Sequence, residues 1–282
     1  MKTIRWCAIG ILSAVTAAFA EPVDTRCGFD EPASIESMTG ERIEIEWKEI
    51  SDSRCATGAT CVWEGQVSVS VDVVVDGVRT EDIEITLHGE EFERAVATVA
   101  GFRIQLAAVG PYPVLDVPTE RSSYLATVLV SPITDTELRH GPAGLNSRWR
   151  LAAFGLIGNE APALETTEVT VIFEVSEAGR GTVSGSGGCN GFTGAVQVAP
   201  IGAIALSDLG FTDMACGGPG LMEQEDRFFT ELPNVIGFTM TETRLVLPYV
   251  GSDTIGMMIF GRADTTPTAV EAKSWSQVKA GS

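Results

Sequence analysis

The chain has 282 residues, and its 38 acidic residues outnumber its 19 Lys and Arg residues, which gives a formal net charge of −19. This charge argues against binding to the phosphate backbone of nucleic acids, which requires clustered Lys and Arg. It also argues against docking on anionic membranes. The 44% of apolar residues supply enough hydrophobic material for folded cores, and the length allows about two domains.

Residues 1–20 have the layout of a cleavable secretory signal peptide. Lys2 and Arg5 precede an apolar run over 6–19, and Ala18 and Ala20 are small residues at the two recognition positions before the expected cleavage site. The run is shorter than the roughly 20 residues of a spanning helix, so we expect cleavage after Ala20. The mature protein is then expected to be periplasmic or secreted, with no membrane span after signal cleavage.

Period-two patterns predict an antiparallel β domain over residues 41–131, because such strands bury one face and leave the other in water. Five segments alternate apolar and polar residues in this way: 42–49, 66–75, 83–87, 102–106 and 124–130. Asp76-Gly77 is typical of a two-residue hairpin between the second and third of them. We expect a sandwich or barrel of about six strands, preceded by an N-terminal extension over 21–40.

Residues 132–145 mix Pro, Gly and polar residues without periodicity, and are expected to link two domains. Beyond them, residues 219–232 form the best helix candidate. Pro219 suits a first helical turn, and Leu221, Phe228 and Leu232 would share one face. Residues 263–282 are expected to form a flexible tail.

Several motifs of the second half occur in a characteristic order. They are Trp149 with Leu151, the turn Gly188-Cys189-Asn190, the segment Thr212-Asp213-Met214-Ala215-Cys216, the helix candidate, and strand-like segments over 245–249 and 255–260. This order resembles the META domain family, which includes HslJ-like heat-shock proteins, over residues 146–262. The resemblance implies a small α+β module of the bacterial envelope, linked to stress or antibiotic tolerance and without an established catalytic activity.

The expected fold class is therefore mainly β, with an N-terminal antiparallel β-sandwich or barrel and a C-terminal α+β META domain that contains one short helix. The Gly-rich run over 185–191 is interpreted as a tight turn with positive φ angles, which Gly and Asn tolerate best. The N-terminal half also weakly resembles an uncharacterised exported bacterial module, through the spacing Cys-x5-Cys-x-Trp-x-Gly at Cys55, Cys61, Trp63 and Gly65. That resemblance carries no function.

Five cysteines remain after signal cleavage, and an oxidising compartment favours disulfides between them. Cys189 and Cys216 have no His or further Cys at metal-ligand spacing, so a disulfide is favoured over a zinc site. Cys55 and Cys61 would close a short loop between strands. Cys27 is left over, and three fates stay open: a free thiol in a flexible N terminus, competition for Cys55 or Cys61, or a bridge to a second chain.

The sequence predicts no catalytic, cofactor-binding or metal-binding residue. Asp30, Asp52 and Glu64 lack the spacing of a calcium loop. Glu223 and Glu225 lie near the start of the helix candidate, where a solvated face explains them better than an acid–base pair. Trp63 is expected to anchor the core rather than to contact a ligand.

We therefore expect a non-enzymatic envelope protein that acts in stress tolerance or in binding an envelope protein or a small molecule, with no nucleic-acid partner. Two alternatives stay open. One is a partner-binding inhibitor or adhesin-like module, a role that suits small β domains held by disulfides. The other is a hydrolase that uses dispersed carboxylates or an exposed thiol at Cys27.

Overall fold

The computed structural model describes residues 22–29, 32–37, 40–88, 91–200, 202–251 and 255–263. The predicted signal peptide and nearly all of the predicted tail lie outside these residues. Within them, the N-terminal domain contains eight strands: β1 (Val23–Gly28), β2 (Ala33–Glu36), β3 (Arg42–Asp52), β4 (Gln66–Val75), β5 (Val78–His88), β6 (Val96–Val99), β7 (Phe102–Gly110) and β8 (Leu125–Pro132).

The N-terminal domain is a sandwich of two four-stranded antiparallel sheets. One sheet has the order β1-β8-β7-β6, and the other has the order β2-β3-β4-β5. Alternate side chains of the two sheets meet in one core, which includes Ile43, Val69 and Val71 from one sheet and Ile104 and Val128 from the other. The period-two pattern of the sequence thus has its physical origin in this shared core.

The segment predicted as an N-terminal extension instead supplies two strands of the sandwich. β1 pairs with β8 along its whole length, from Val23 opposite Val130 to Gly28 opposite Leu125, and β2 pairs with β3. The expectation for 21–40 is corrected because strands of six and four residues are too short to show a convincing alternation.

The predicted hairpin is present at the end of β4. Val75 pairs with Val78, and the turn residues Asp76 and Gly77 have φ angles of 50° and 83°. Two successive positive φ angles are typical of the tight turns that match the twist of paired strands, and Asp-Gly tolerates them.

The segment predicted as a linker is ordered and folded against the rest of the chain. It forms helix α1 (Asp135–His140) and a following 3-10 turn, Gly141–Leu145. The Thr134 hydroxyl accepts a hydrogen bond from the Glu137 backbone N–H at 3.1 Å, and the Glu137 carboxylate accepts one from the Thr134 backbone N–H at 3.0 Å. This reciprocal capping box starts a helix that is too short to show an apolar period.

The C-terminal domain is built on one antiparallel sheet. Its described strands are β9 (Arg148–Leu156), β10 (Asn159–Pro162), β11 (Thr170–Val175), β12 (Arg180–Ser186), β13 (Gly191–Val198), β14 (Ile204–Phe211), β15 (Thr239–Met240), β16 (Arg244–Val250) and β17 (Ile255–Arg262). Their order is β14-β13-β12-β11-β9-β17-β16-β15, and β10 pairs with β9. The mainly β fold class is thereby confirmed.

Helix α2 (Leu221–Glu231) packs on the core of this sheet through the fully buried Phe228. The predicted helix is present, but it begins at Leu221 after the N-cap Gly220, so Pro219 precedes the first turn instead of occupying it. Trp149 is fully buried in the same core and donates its indole N–H to the Leu145 carbonyl at 2.9 Å. Among the residues that the structure describes, no helix combines the length and apolarity needed to cross a membrane.

Arg103 of β7 joins the two domains through a buried polar contact. This side chain donates to the Phe238 carbonyl at 2.9 Å and to the Glu137 carboxylate at 3.2 Å, and Gln105 donates to the Ile236 carbonyl at 2.7 Å. Apolar side chains from both domains also meet in two clusters: Phe92, Val96, Ala107, Leu129, Ala199, Ala203 and Ile255. If the domains separated, the Arg103 guanidinium would lose its hydrogen bond to the Phe238 carbonyl, and the apolar clusters would be exposed to water. These contacts therefore favour one arrangement of the two domains.

Candidate functional site

Two loops at one end of the sandwich are joined into a single surface. The first loop, 53–65, connects β3 to β4 and is closed by the disulfide Cys55–Cys61. The second, 111–120, connects β7 towards β8. The Thr57 N–H donates to the Pro113 carbonyl at 2.8 Å, and the Leu115 N–H donates to the Thr57 carbonyl at 3.1 Å. These bonds make a short parallel bridge, so neither loop moves independently of the other.

Arg54 supports both loops from below. Its guanidinium forms an ion pair with Asp52 at 2.6 Å and donates to the carbonyls of Val109 at 2.7 Å and Pro111 at 3.0 Å. The same group lies over the Tyr112 ring, 4.7 Å from the centroid. The side chains of Arg54 and Asp52 are only 11% and 6% exposed, so this charge pair belongs to the interior of the loop structure.

The Asp52 carboxylate has a pKa below its ordinary value of 3.8. Burial alone raises the pKa of Asp52, but the hydrogen bonds and positive charge of Arg54, together with a bond from the Tyr124 hydroxyl at 3.1 Å, outweigh that effect. The ionised carboxylate is therefore the form that the folded loops stabilise.

The two loops display apolar side chains to solvent. Of the twelve large apolar residues that are exposed within the described chain, six lie here, and we call them the apolar loop patch: Val62, Trp63, Tyr112, Val114, Leu115 and Val117. Trp63 is 60% exposed, so the prediction that it anchors the core is wrong. The disulfide and Arg54 order this loop without a hydrophobic anchor, which leaves the indole free to face water.

In the C-terminal domain, the predicted Gly-Cys-Asn turn is fastened to helix α2 by a buried carboxylate. Glu225 accepts hydrogen bonds from the backbone N–H groups of Cys189 at 2.8 Å and Asn190 at 2.7 Å, and from the Asn190 side-chain amide at 2.6 Å. Glu225 is 1% exposed. The expectation of a solvated face therefore fails for Glu225, because helix α2 turns it towards the loop, and it holds for the exposed Glu223.

Asn190 completes the connection to the segment that contains Cys216. Its carbonyl oxygen accepts from the Met214 N–H at 2.7 Å and from the Thr212 hydroxyl at 2.9 Å, while its amide also donates to the Met214 carbonyl at 2.9 Å. The disulfide Cys189–Cys216 joins the same two segments covalently. We call Asn190, Thr212, Met214 and Glu225 the polar lock. Every polar atom of the Asn190 side chain is used in it, so its role is structural.

The positive φ angles expected in this turn occur only in part. Gly188 has a φ of 118°, whereas Asn190 has no positive φ angle. Asn is needed at position 190 for its side-chain amide, which both donates and accepts in the lock. In this chain the Gly188-Cys189-Asn190 turn therefore depends more on the hydrogen bonds of the Asn190 side chain than on a positive φ angle at that residue.

Residues 143–259 match the family model of the META domain, which covers less than half of the chain. This segment is a META domain. The presence of the META domain is consistent with a stress-related or envelope-related protein. A search of the curated proteins finds no match to the chain.

Three solved structures resemble the chain over less than half of its length. A protein from Burkholderia xenovorans solved by NMR is 20% identical, with a TM-score of 0.35, over 45% of this chain and 90% of that one. A second NMR structure is 21% identical, with a TM-score of 0.31, over 43% and 92%. A DUF4847 family protein from Bacteroides vulgatus is 13% identical, with a TM-score of 0.30, over 43% and 96%. Similarities at these TM-scores carry no argument about function.

The META domain also has an open groove of about 720 Å³ on the face of its sheet opposite the core. Most of its lining is apolar and includes Ile172, Phe192 and Phe211, with hydroxyl groups such as those of Ser184 and Thr193 between them. The Arg148 guanidinium at its edge lies 3.6 Å from the Glu168 carboxylate, so its charge is already compensated. The groove therefore presents apolar surface and small hydroxyl groups, and no uncompensated charge that would select a ligand.

Both disulfides expected from the sequence are present, Cys55–Cys61 and Cys189–Cys216. They fit an oxidising compartment, either extracellular or periplasmic. Cys27 forms no disulfide and lies in strand β1, where it is 1% exposed and packed in the sandwich core. Burial raises the pKa of the Cys27 thiol to about 12. The expectation of a free thiol in a flexible N terminus is therefore wrong about the flexibility, because the free Cys27 thiol is buried in a strand.

The acidic residues considered for calcium do not converge. Asp52 is paired with Arg54, Glu64 is exposed in the first loop, and Asp30 lies outside the described residues. Within the described part of the chain, no group of three or more His, Cys, Asp or Glu side chains is arranged to hold a metal ion. Sequence reasoning missed the apolar loop patch, although Val114, Leu115 and Val117, which lie between Pro113 and Pro118 without a period-two pattern, indicate an apolar loop.

Proposed function

We propose that this chain is an exported, non-enzymatic protein of the bacterial envelope that binds a protein partner through the apolar loop patch. The observation that carries the proposal is the clustering of six exposed apolar side chains on two loops that are bonded to each other. A monomeric protein rarely exposes contiguous apolar surface without a use for it, and such patches mark interaction sites.

The construction of the loops supports recognition. The disulfide, the Thr57 bridge and the buried Arg54 fix the loop backbones before any partner arrives, so little conformational entropy remains to be lost on binding. Trp63 and Tyr112 are residue types that often carry most of the energy of an interface, because they bury a large area with few rotatable bonds.

In this proposal the META domain is a rigid support for the sandwich, and its presence supports a role in the response to envelope stress. The buried Arg103 contact supports a fixed arrangement of the two domains. The alternative of a hydrolase that uses an exposed Cys27 thiol loses its basis, because that thiol is buried with a raised pKa. A partner-binding inhibitor or adhesin-like role uses the same patch and is one form of this proposal.

The test is capture of envelope proteins by the immobilised full chain. Three forms are compared: the wild type, the patch variant Trp63→Ser/Leu115→Ser, and the matched control Val78→Ser/Leu138→Ser, which removes two apolar side chains exposed elsewhere. We expect one stoichiometric partner, retained by the control and lost by the patch variant. Equal capture by all three forms would exclude the patch as the binding surface.

A further inference from the structure

We infer that the segment of the partner that contacts the apolar loop patch is cationic and amphipathic, with apolar side chains for the patch and Lys or Arg around them. This inference rests on the proposed function and specifies the chemistry of the partner. It follows from the charges that the two loops place among their apolar side chains.

Each loop carries one exposed carboxylate between residues of the patch or beside them. Glu64 follows Trp63 directly, and Asp116 lies between Leu115 and Val117. Among the ion pairs of the described residues, none includes Glu64 or Asp116. Asp116 is exposed, and its positive φ of 61° is a conformation that short polar side chains tolerate.

The cations near the loops do not neutralise these two carboxylates. The Arg54 charge is matched by Asp52 beneath the loops. The Arg121 guanidinium lies over the Phe29 ring, 4.3 Å from its centroid, and donates to the Lys48 carbonyl. The surface that a partner meets is therefore apolar with negative charge at its edge.

The same charges decide between the occupants that an apolar surface could have. A second copy of this chain would bring an identical acidic edge and a net charge of −19, so self-association through the patch is opposed. An anionic lipid surface is opposed for the same reason. A cationic amphipathic segment matches both the apolar centre and the acidic edge, and like-charge repulsion rejects the other two.

The experiment uses the full chain and two labelled synthetic peptides with the same leucine positions. One peptide carries lysines on its polar face, and the other carries glutamates at those positions. We expect the wild type to bind the lysine peptide about tenfold or more tightly than the glutamate peptide, with affinity that falls as salt is added. The patch variant Trp63→Ser/Leu115→Ser should lose most of the binding, because the acidic edge alone gives little affinity.

Charge-neutralising variants then locate the preference. Glu64→Gln/Asp116→Asn, which keeps a short polar side chain at the positive φ of position 116, should remove the preference for the lysine peptide, whereas Glu177→Gln/Glu223→Gln, at two exposed sites of the META domain, should keep it. Equal changes in both variants would overturn the inference, since the attraction would then come from net charge alone. If partner capture depends on the patch but the lysine peptide has no advantage, the proposed function stands and this inference fails.

Discussion

The two disulfides of this protein have similar geometry but lie in different surroundings. Their Cα atoms are 5.9 Å apart in both cases. Cys189–Cys216 joins two segments that are already held by hydrogen bonds between the Asn190 side chain and the Met214 backbone. Cys55–Cys61 closes a short loop two residues before Trp63, whose side chain faces solvent. The Cys189–Cys216 disulfide therefore adds to the stability of a region that hydrogen bonds already hold together. The Cys55–Cys61 disulfide instead orders a loop that has no hydrophobic core of its own and exposes apolar side chains.

The largest expected effect on stability comes from a change in the polar lock, which holds the Cys189–Cys216 segments. Glu225→Ala removes the acceptor for three buried donors, the N–H groups of Cys189 and Asn190 and the Asn190 amide. Leaving them without partners should lower the free energy of unfolding by about 3–5 kcal/mol. Urea unfolding measures this loss.

The control is Glu223→Ala, which changes an exposed carboxylate on the same helix. It should change the unfolding free energy by less than about 0.5 kcal/mol. Similar losses for both variants would mean that the carboxylate acts through the helix dipole and not through the lock, because both residues lie in the N-terminal half of α2.

Removing each disulfide compares the two loops directly. Cys189→Ala/Cys216→Ala opens a loop with a sequence separation of 27, whereas Cys55→Ala/Cys61→Ala opens one with a separation of 6. In the chain-entropy account the first variant should lose about 3–4 kcal/mol of unfolding free energy and the second about 2 kcal/mol. Denaturant unfolding checks the order.

The second variant should also lose partner binding, although it is the more stable of the two. A Cys55→Ala/Cys61→Ala protein that retains full binding would show that the Arg54 and Thr57 contacts alone keep the apolar loop patch in place. The Cys189→Ala/Cys216→Ala protein should bind normally at temperatures where it stays folded.

Acidic pH should weaken the Asp52–Arg54 ion pair, which lies beneath loop 53–65. Because the pKa of Asp52 is lowered in the folded state, its stabilising contribution is present above the ordinary pKa of 3.8 and is lost as the pH falls through the lower folded value. Arg54→Met should cost about 2–4 kcal/mol near neutral pH, since it leaves a largely buried carboxylate without its cation. The cost should shrink as the pH falls from 3.8 through the lower folded value, because protonation of Asp52 removes the buried negative charge that Arg54 balances.

Unfolding free energies measured from neutral to acidic pH test this dependence. Arg42→Met is the matched control, because Arg42 forms its ion pair with Glu44 at an exposed site, where the arginine side chain is 66% exposed. A pH-independent cost for Arg54→Met would mean that its bonds to the Val109 and Pro111 carbonyls, and not the Asp52 pair, support the loops.

The strands of the sandwich were predictable from sequence because one buried face imposes a period of two over segments as long as 66–75. The META domain was predictable because several short motifs occur in a fixed order. Helix α1 was missed although Thr134-x-x-Glu137 carries the capping-box signal, because the segment has no apolar period.

The polar lock and the apolar loop patch could not be predicted, for different physical reasons. Glu225 meets Asn190 across 35 positions of sequence, and only the rotation of helix α2 decides whether that carboxylate faces the turn or water. Trp63 stands beside a Cys pair, where a buried anchor and an exposed contact residue look the same in sequence. What separates them is whether the loop is already ordered without the indole, and Arg54 and the disulfide provide that order.

The smallest expected effect on stability comes from the exposed Trp63, which is compared with the buried Trp149. Trp63→Ala should change the free energy of unfolding by less than about 0.5 kcal/mol, because the indole is 60% exposed and the loop does not depend on it. Trp149→Ala, the matched change in the META core, should cost about 3–5 kcal/mol, because that indole is fully buried. Thermal and urea unfolding measure both. A large loss for Trp63→Ala would return this residue to a structural role, and the apolar loop patch would then lose the side chain on which its affinity most depends.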